Sequence, residues 1–564
     1  MRHPIIHFLL LLTINILCGA QPEPIYGKNG MVVSTSEEAS LVGISILKKG
    51  GNAIDAAVAV GFALAVTSSG NGNIGGGGFL VATLSNGKSF TIDHRETAPS
   101  KSSRNMFLDD RSNVIPGMSL GTHASSGVPG TVDGLLKAFK DYGSGEISLR
   151  EVLAPSIKLA EKGFNLSLYE ANRFNNYRES FQNNEAASKI FIKKNGTVWL
   201  ENDRFIQKDL AKTLKRILKF GREGFYSGPI ADLIITEMNK GNGLISHEDL
   251  KNYSSKYRIP VVGAYKGYDV ISMGPPSSGG ALLVNMLNML ENFDLDSLGW
   301  NSSDYVHLLT EVERRAYADR SEHMGDPDFW KVPMSMLTSK KYAKSRMQNF
   351  SKIKATPSTN ISASKNTYYE SKETTHYSVV DKFGNAVSVT TTINLNYGNG
   401  IIVEGAGFFL NNEMDDFSSK PGIPNVFGLV GNEANAIKAN KRPLSSMTPT
   451  IILKENKPFM VIGSPGGSTI ITTTLQSILN VIEFNMDIEE AVSSPRFHSQ
   501  WLPDAIQVEP RSLSKDVINV LKKKNHQIVP YRWGYIGEAN GILILNDGLY
   551  GAGDNRGETS AIGY

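Results

Sequence analysis

The sequence predicts an α+β protein, and three observations carry that reading. A nearly all-apolar segment, Ala53 to Val66, follows a capping Asn52 and reads as a buried helix. Two short apolar runs, Phe79–Leu84 and Ser89–His94, flank Asn86-Gly87, a strong hairpin signal. Finally, a mainly helical stretch from about 130 to 350 gives way beyond residue 374 to alternating, strand-like segments.

The elements follow in order. Thr35 and Glu38 stand at capping-box spacing, so a helix is expected from there to Lys48 and Lys49, stopped by Gly50-Gly51. Glu311–Arg320 is a clear helical segment. Tyr265–Met273 reads as one strand, ended by Gly274-Pro275-Pro276. Residues 351–373 are rich in Ser, Thr, Lys and Asn and read as an exposed or mobile loop. Thr375–Val380 and Ala386–Ile393 form a second hairpin around Asp381–Asn385, and a Gly/Pro/Asn-rich loop spans Ser418 to Pro443. A strand ending at Gly463 meets Ser464-Pro465-Gly466-Gly467, and Ser468 opens a helix.

Composition excludes several classes. The chain has 564 residues, with 58 basic against 55 acidic side chains and a net charge of +3, which argues against a dedicated nucleic-acid binder. Apolar residues make up 40%, and with 54 glycines the share reaches the ordinary globular range, so the chain is not globally disordered. Its length alone would allow several domains. Ile5–Leu17 is a mostly apolar run behind Arg2, with Cys18-Gly19-Ala20 after it, so 1–20 reads as a signal peptide cut after Ala20. Export follows, to a periplasm or beyond, with no membrane span in the mature chain. Cys18 is the one cysteine, which excludes thiolate metal sites after processing.

Several motifs fail their context tests. Gly70-x-Gly72-x-x-Gly75 fits a dinucleotide fingerprint, but it follows a helix and precedes a strand, the reverse of the required order. Close backbone packing is the better reading. Gly117-x-Ser119-x-Gly121 fits a nucleophile elbow without the strand and helix that motif needs. His247-Glu248 lacks a second histidine for zinc, and neither Asp415-Asp416 nor Asp326-x-Asp328 continues as a calcium loop.

Two places have better context. Ser464–Ser468 lies between a strand and a helix N-terminus, where backbone N–H groups can meet an anion or an oxyanion; an ordinary glycine turn fits equally well. Thr374 lies where the polar loop meets a strand. A mid-chain Thr is a poor nucleophile, but a cut after Glu373 would put an α-amine beside its hydroxyl, a known nucleophile–base pair. The alternative is an edge strand rich in β-favouring threonines.

Taken with these, the chain resembles the γ-glutamyltransferases (γ-glutamyl transpeptidases), which are N-terminal-nucleophile hydrolases. The resemblance spans the mature chain. It rests on Gly51–Ala57, Gly72–Phe79, Asp93-His94-Arg95-Glu96-Thr97-Ala98-Pro99, Pro275–Gly280, Ala316–Arg320, Thr374–Ser378, Asn411–Phe417, Arg442–Met447 and Gly463–Ser468, in the family's order.

The resemblance implies one four-layer αββα sandwich, self-cut between Glu373 and Thr374 into a large subunit, 21–373, and a small catalytic one, 374–564, that stay together. It implies Thr374 as nucleophile, Thr392 bonded to it, and the N–H groups of Gly466 and Gly467 as oxyanion hole. Arg95, helped by Ser445 and Ser446, would hold the substrate α-carboxylate; Asn394, Glu413 and Asp416 would hold the α-ammonium. The implied substrates are glutathione and other γ-glutamyl compounds, with water or an amino acid or peptide as acceptor, and no cofactor or metal is implied.

This chain departs from bacterial relatives at Phe427, where many carry Tyr in the lid loop, and at Ser68–Asn71, which lacks a His-Pro pair. The family admits Gln or Glu at 413. Rival expectations are an exported acylase for glutaryl amides or poly-γ-glutamate, an inactive homologue, and an exported solute-binding protein.

Overall fold

The computed structural model describes residues 22–361 and 374–564. The expected signal peptide and Glu373 lie outside them. Two seven-stranded sheets face each other. The first runs Ile25–Gly27, Gly548–Gly553, Asn540–Leu545, Lys457–Gly463, Thr450–Lys454, Tyr268–Ser272, Val261–Tyr265. The second runs Ser560–Gly563, Gly30–Ser34, Thr375–Asp381, Ala386–Thr392, Gly77–Thr83, Ser89–Asp93, Lys256–Arg258. Neighbours within both sheets are antiparallel.

Side-chain alternation builds the layers. Met31, Val33, Phe79 and Val81 meet Ile451, Val461 and Ile542 between the sheets. Val32, Leu80 and Val379 point the other way, into a core with the helices Glu37–Lys48 and Ala53–Thr67. Ile452, Met460 and Ile462 do the same on the far side, against Gly279–Leu290, Ser303–His323 and Thr469–Ile482. Each fully buried aliphatic side chain stabilises by about 1.5–3 kcal/mol. The result is the expected αββα sandwich. The helical middle third holds, interrupted by a two-stranded pair, Phe164–Asn165 and Arg204–Phe205, and by three short strands between 256 and 272.

Local chemistry explains the elements and two differences from expectation. Asn52 caps Ala53–Thr67 in a reciprocal box with Asp55, and every residue of that helix is buried. The helix before it is capped by Ser36, which accepts from the Ala39 N–H, and not by Thr35. The Thr35 hydroxyl instead bonds that of Thr375, 2.7 Å away, so a tertiary contact outcompetes the local cap. Tyr265–Met273 is not one strand: Lys266 and Gly267, both at positive φ, turn the chain between Val261–Tyr265 and Tyr268–Ser272. The glycine run packs closely, as expected. A Cβ on Gly75 would lie 2.0 Å from the Phe409 carbonyl oxygen, and one on Gly76 2.0 Å from that of Thr392.

Candidate active site

Thr375–Asp381 is an internal strand of its sheet, paired with Ala386–Thr392 from Thr375 on and with Gly30–Ser34 from Ser378 on, and not the edge strand of the alternative reading. Thr375 is registered opposite Thr391, which brings Thr374 and Thr392 side by side at the end of the ladder. The Asn71 side chain donates to the Thr374 carbonyl oxygen at 3.2 Å. The Thr392 hydroxyl accepts from the Asn394 N–H at 2.8 Å.

Below this end, the inter-sheet face of the hairpin is polar. His376 bonds the Thr390 hydroxyl at 2.9 Å and the Ser378 hydroxyl at 3.1 Å. Burial pulls the His376 pKa down to about 3, so the ring is neutral. Its ring lies against Gly463, where a Cβ would come within 2.3 Å of it. Ser378 donates to the Asn540 carbonyl and Ser388 to that of Ile462. These bonds tie the hairpin to the facing sheet: Ser378 holds the strand Asn540–Leu545, Ser388 holds the strand that leads into Ser464–Ser468, and the His376 ring packs on the end of that same strand at Gly463.

That turn is strained in the way a backbone-exposing turn must be. Gly466 and Gly467 have φ of +135° and +55°, which favours glycine. A Cβ on Gly466 would meet the Thr469 hydroxyl at 2.4 Å. The turn opens the helix Thr469–Ile482, where N–H groups lack partners in their own helix.

Thr374 borders two cavities. The inner one, about 20 Å³, is lined by Arg95, Thr392, Asn394, Glu413, Asp416, Ser445, Ser446 and Gly467, together with Phe427. The structure therefore gathers nearly every expected site residue around Thr374. Gly466 sits on its other side, in an outer cavity of about 320 Å³.

The inner cavity is charged. Arg95 leaves the end of the strand Ser89–Asp93, its N–H held by Asp93 and its carbonyl oxygen by the Tyr253 hydroxyl. Its guanidinium pairs with both Glu413 and Asp416, the two carboxylates expected to face the opposite end of a zwitterion. Burial alone would lower the Arg95 pKa, but Glu413, Asp416 and Glu96 outweigh it and leave the pKa above its usual value. Burial pushes the Glu413 and Asp416 carboxyls upward, against the pull of Arg95. Ser445 accepts from the Met447 N–H, and Ser446 from Arg320. Asn394 donates to the Asn412 carbonyl. Arg95 thus serves both carboxylates at once.

The family model for gamma-glutamyltranspeptidase matches residues 39–564. The chain belongs to this family. It is 48% identical over 534 residues to the glutathione hydrolase proenzyme of Escherichia coli (strain K12), covering 94% of this chain and 91% of that one. Among solved structures it is similar to cephalosporin acylase from Bacillus halodurans, with a TM-score of 0.84, 25% identity and 97% of each chain covered. It is also similar to Helicobacter pylori gamma-glutamyltranspeptidase, with a TM-score of 0.57 and 47% identity, over 58% of this chain and 93% of that one.

Three residues of this family member escaped the sequence reading as site residues. Arg320, although inside a quoted motif, reaches Ser446 and Ser278 and places a second buried cation beside Asp416; burial lowers its pKa to about 10. Glu96, whose carboxyl burial raises to about 7, lies 3.8 Å from Arg95 with no hydrogen-bond partner for either oxygen. Gln500 accepts from the Ser468 hydroxyl and donates to the Phe427 carbonyl, so one side chain joins the glycine turn to the lid loop. Glu96 and Arg320 lie inside quoted motifs, which could have found them, whereas Gln500 is a lone polar residue with no local signal.

Phe427 itself is buried among Leu429, Val430 and neighbouring apolar side chains. Where a Tyr hydroxyl is missing, apolar packing and the Gln500 bond hold the loop. A cluster of metal-type side chains lies away from this site, with His307 and Glu311 on the helix Ser303–His323 and His526 beside them. There both Glu311 oxygens are already taken by Arg314 and Arg315, which makes a poor cation site. Among the described residues no helix is long and apolar enough to cross a membrane.

Proposed function

We propose that this chain is a self-processed γ-glutamyltransferase and glutathione hydrolase, cut between Glu373 and Thr374 into subunits 21–373 and 374–564. Thr374 Oγ attacks the γ-carbonyl of a γ-glutamyl amide, with its own new α-amine as base, free of charge in part near neutral pH. The N–H groups of Gly466 and Gly467 receive the oxyanion, and Thr392 steadies the nucleophile. Water, an amino acid or a peptide then releases the γ-glutamyl group. The apolar run at residues 5–17 supports export, to a periplasm or beyond.

The observation that carries this reading is the self-paired Arg95–Glu413–Asp416 cluster beside Thr374. A bound α-carboxylate takes over Arg95 while an α-ammonium takes over the two carboxylates. The exchange replaces each ion pair by another, so the head group enters a buried site without leaving a charge unpaired. A glutaryl amide lacks the ammonium and would strand Glu413 and Asp416. The likeness to cephalosporin acylase makes that comparison worth measuring.

Denaturing electrophoresis of wild type and Thr374→Ala tests the reading. Two wild-type chains, the smaller beginning Thr-Thr-His-Tyr, with an uncut mutant lacking activity, are expected. A wild type that stays one chain, or one that hydrolyses glutaryl 4-nitroanilide faster than the γ-glutamyl compound, overturns it.

A further inference from the structure

Residues 68–71, the stretch that lacks the His-Pro pair, come to lie beside Thr374. They leave the buried helix Ala53–Thr67 in a tight turn, the Asn71 N–H donating to the Ser68 carbonyl at 3.1 Å. The turn brings the Asn71 side chain to the end of the Thr374 strand, where its amide donates to the Thr374 carbonyl oxygen. An asparagine amide can face either way, and its oxygen would repel that carbonyl. Arg173 removes the choice. Its guanidinium donates to the Asn71 amide oxygen at 2.9 Å, which leaves the NH2 group for Thr374.

Arg173 is itself held. It stands one turn after Glu170 on the helix Leu168–Asn176, and the two pair at 2.9 Å with both side chains largely buried. The same guanidinium nitrogen donates to Asn396, whose amide donates in turn to the Tyr177 hydroxyl at 3.0 Å. One cation thus ties the loop that follows Thr392 to the turn that holds Thr374. Gly70 makes the room: a Cβ there would lie 2.2 Å from the guanidinium.

This inference rests on the γ-glutamyl reading for its reaction, in which Thr374 is a free N-terminus. Before the cut, the chain holds Thr374 from both sides. Afterwards only the Thr375 side is covalently tied. The Thr374 carbonyl and Cα share one planar peptide unit with the Thr375 N–H. Holding the carbonyl oxygen therefore holds Cα, the atom that carries both the α-amine and the Cβ of the nucleophile. We propose that Asn71 is a positioning residue of the cut enzyme, and that Arg173, backed by Glu170, orients it. The Asn71 amide fixes the Thr374 main chain, so that base and hydroxyl keep one geometry through both halves of the reaction. The donor head group is held elsewhere, by Arg95, Glu413 and Asp416, so the network acts on turnover rather than on donor binding.

The test compares wild type, Asn71→Ala, Asn71→Asp, Arg173→Met, and Asn71→Ala combined with Arg173→Met. Electrophoresis follows the cut, and hydrolysis of γ-glutamyl 4-nitroanilide gives kcat and KM. Asn71→Ala is expected to lose about tenfold in kcat, the scale of one hydrogen bond, with KM changed less than about twofold. Asn71→Asp keeps the size and the Arg173 partner but has no proton for the Thr374 carbonyl, so it is expected to fall at least as far. Arg173→Met is expected to lose about fivefold, and the combined variant to stay within about twofold of Asn71→Ala, because Arg173 acts through Asn71. An Asp variant as fast as wild type, a loss carried by KM, multiplied losses in the combined variant, or an Asn71→Ala chain that no longer cuts itself overturns the proposal. A wild type that releases no nitroaniline fails the γ-glutamyl reading; a working wild type beside an unimpaired Asn71→Ala fails this inference alone.

Discussion

The two sides of Thr374 are made of opposite materials. Inward, Arg95 meets Glu413 and Asp416 around a space barely larger than a water molecule, with Arg320 and Glu96 buried close behind. Outward, amides and aromatic rings line a far roomier cavity whose wall carries one carboxylate. Buried charge is tolerable only when paired, and pairs with fixed geometry discriminate strongly. Aromatic and amide walls accept many shapes. The difference teaches that a demand for one head group and tolerance of many partners can share a nucleophile, provided each is given its own side.

Substitutions can break that division. The largest effect is expected from Gly466→Ala. The residue borders the outer side, but its N–H would serve the carbonyl common to both halves of the reaction, and its φ of +135° excludes a side chain. A fall of about 10²–10³ in kcat is expected, equal for hydrolysis and transfer, with the partition ratio unchanged; stopped-flow assays would check it. A changed ratio would mean that the turn belongs to the acceptor side.

Arg95→Lys is expected to come next. It keeps the charge among Glu413, Asp416 and Glu96 but loses the two-pronged donor. Donor kcat/KM should drop by about 10², with the partition between water and peptide unmoved. Steady-state kinetics with two acceptors separates the outcomes.

The smallest effect concerns the lid. Asp415 accepts from the Ser119 hydroxyl at 2.6 Å and from the Val426 N–H at 3.0 Å, tying the 117–121 loop to the lid loop. Burial raises its pKa to about 7 from an ordinary 3.8. The folded chain therefore holds this proton more tightly than the unfolded chain. The stability it contributes is complete below about pH 4 and is lost as pH rises through about 7. Asp415→Asn removes that dependence, so its melting temperature relative to wild type should rise by about 2 °C between pH 5 and pH 8. A constant difference would show that Asp415 does not titrate in this range.

Much of the molecule was legible before its structure. The Asn52 cap, the Asn86-Gly87 turn and the polar stretch before Thr374 are local signals, because capping, turn chemistry and apolar periodicity act over a few residues. The motifs located the inner cavity for the same reason: each carries its own unusual composition. What failed was also local in form. Thr35 looked like a helix cap until Thr375, far along the chain, claimed its hydroxyl. Lys266-Gly267 hid a turn because Lys rarely adopts positive φ.

Sequence by itself determined the family, the order of elements and the identities of the residues around Thr374. Tertiary structure alone decided that Arg95 pairs with Glu413 and Asp416, that Gln500 bridges the glycine turn and the lid, and that Arg173 turns Asn71 toward Thr374. Those relations join residues from 32 to 321 positions apart. They depend on how two sheets stack and how loops cross above them, and no short-range preference of the chain encodes that.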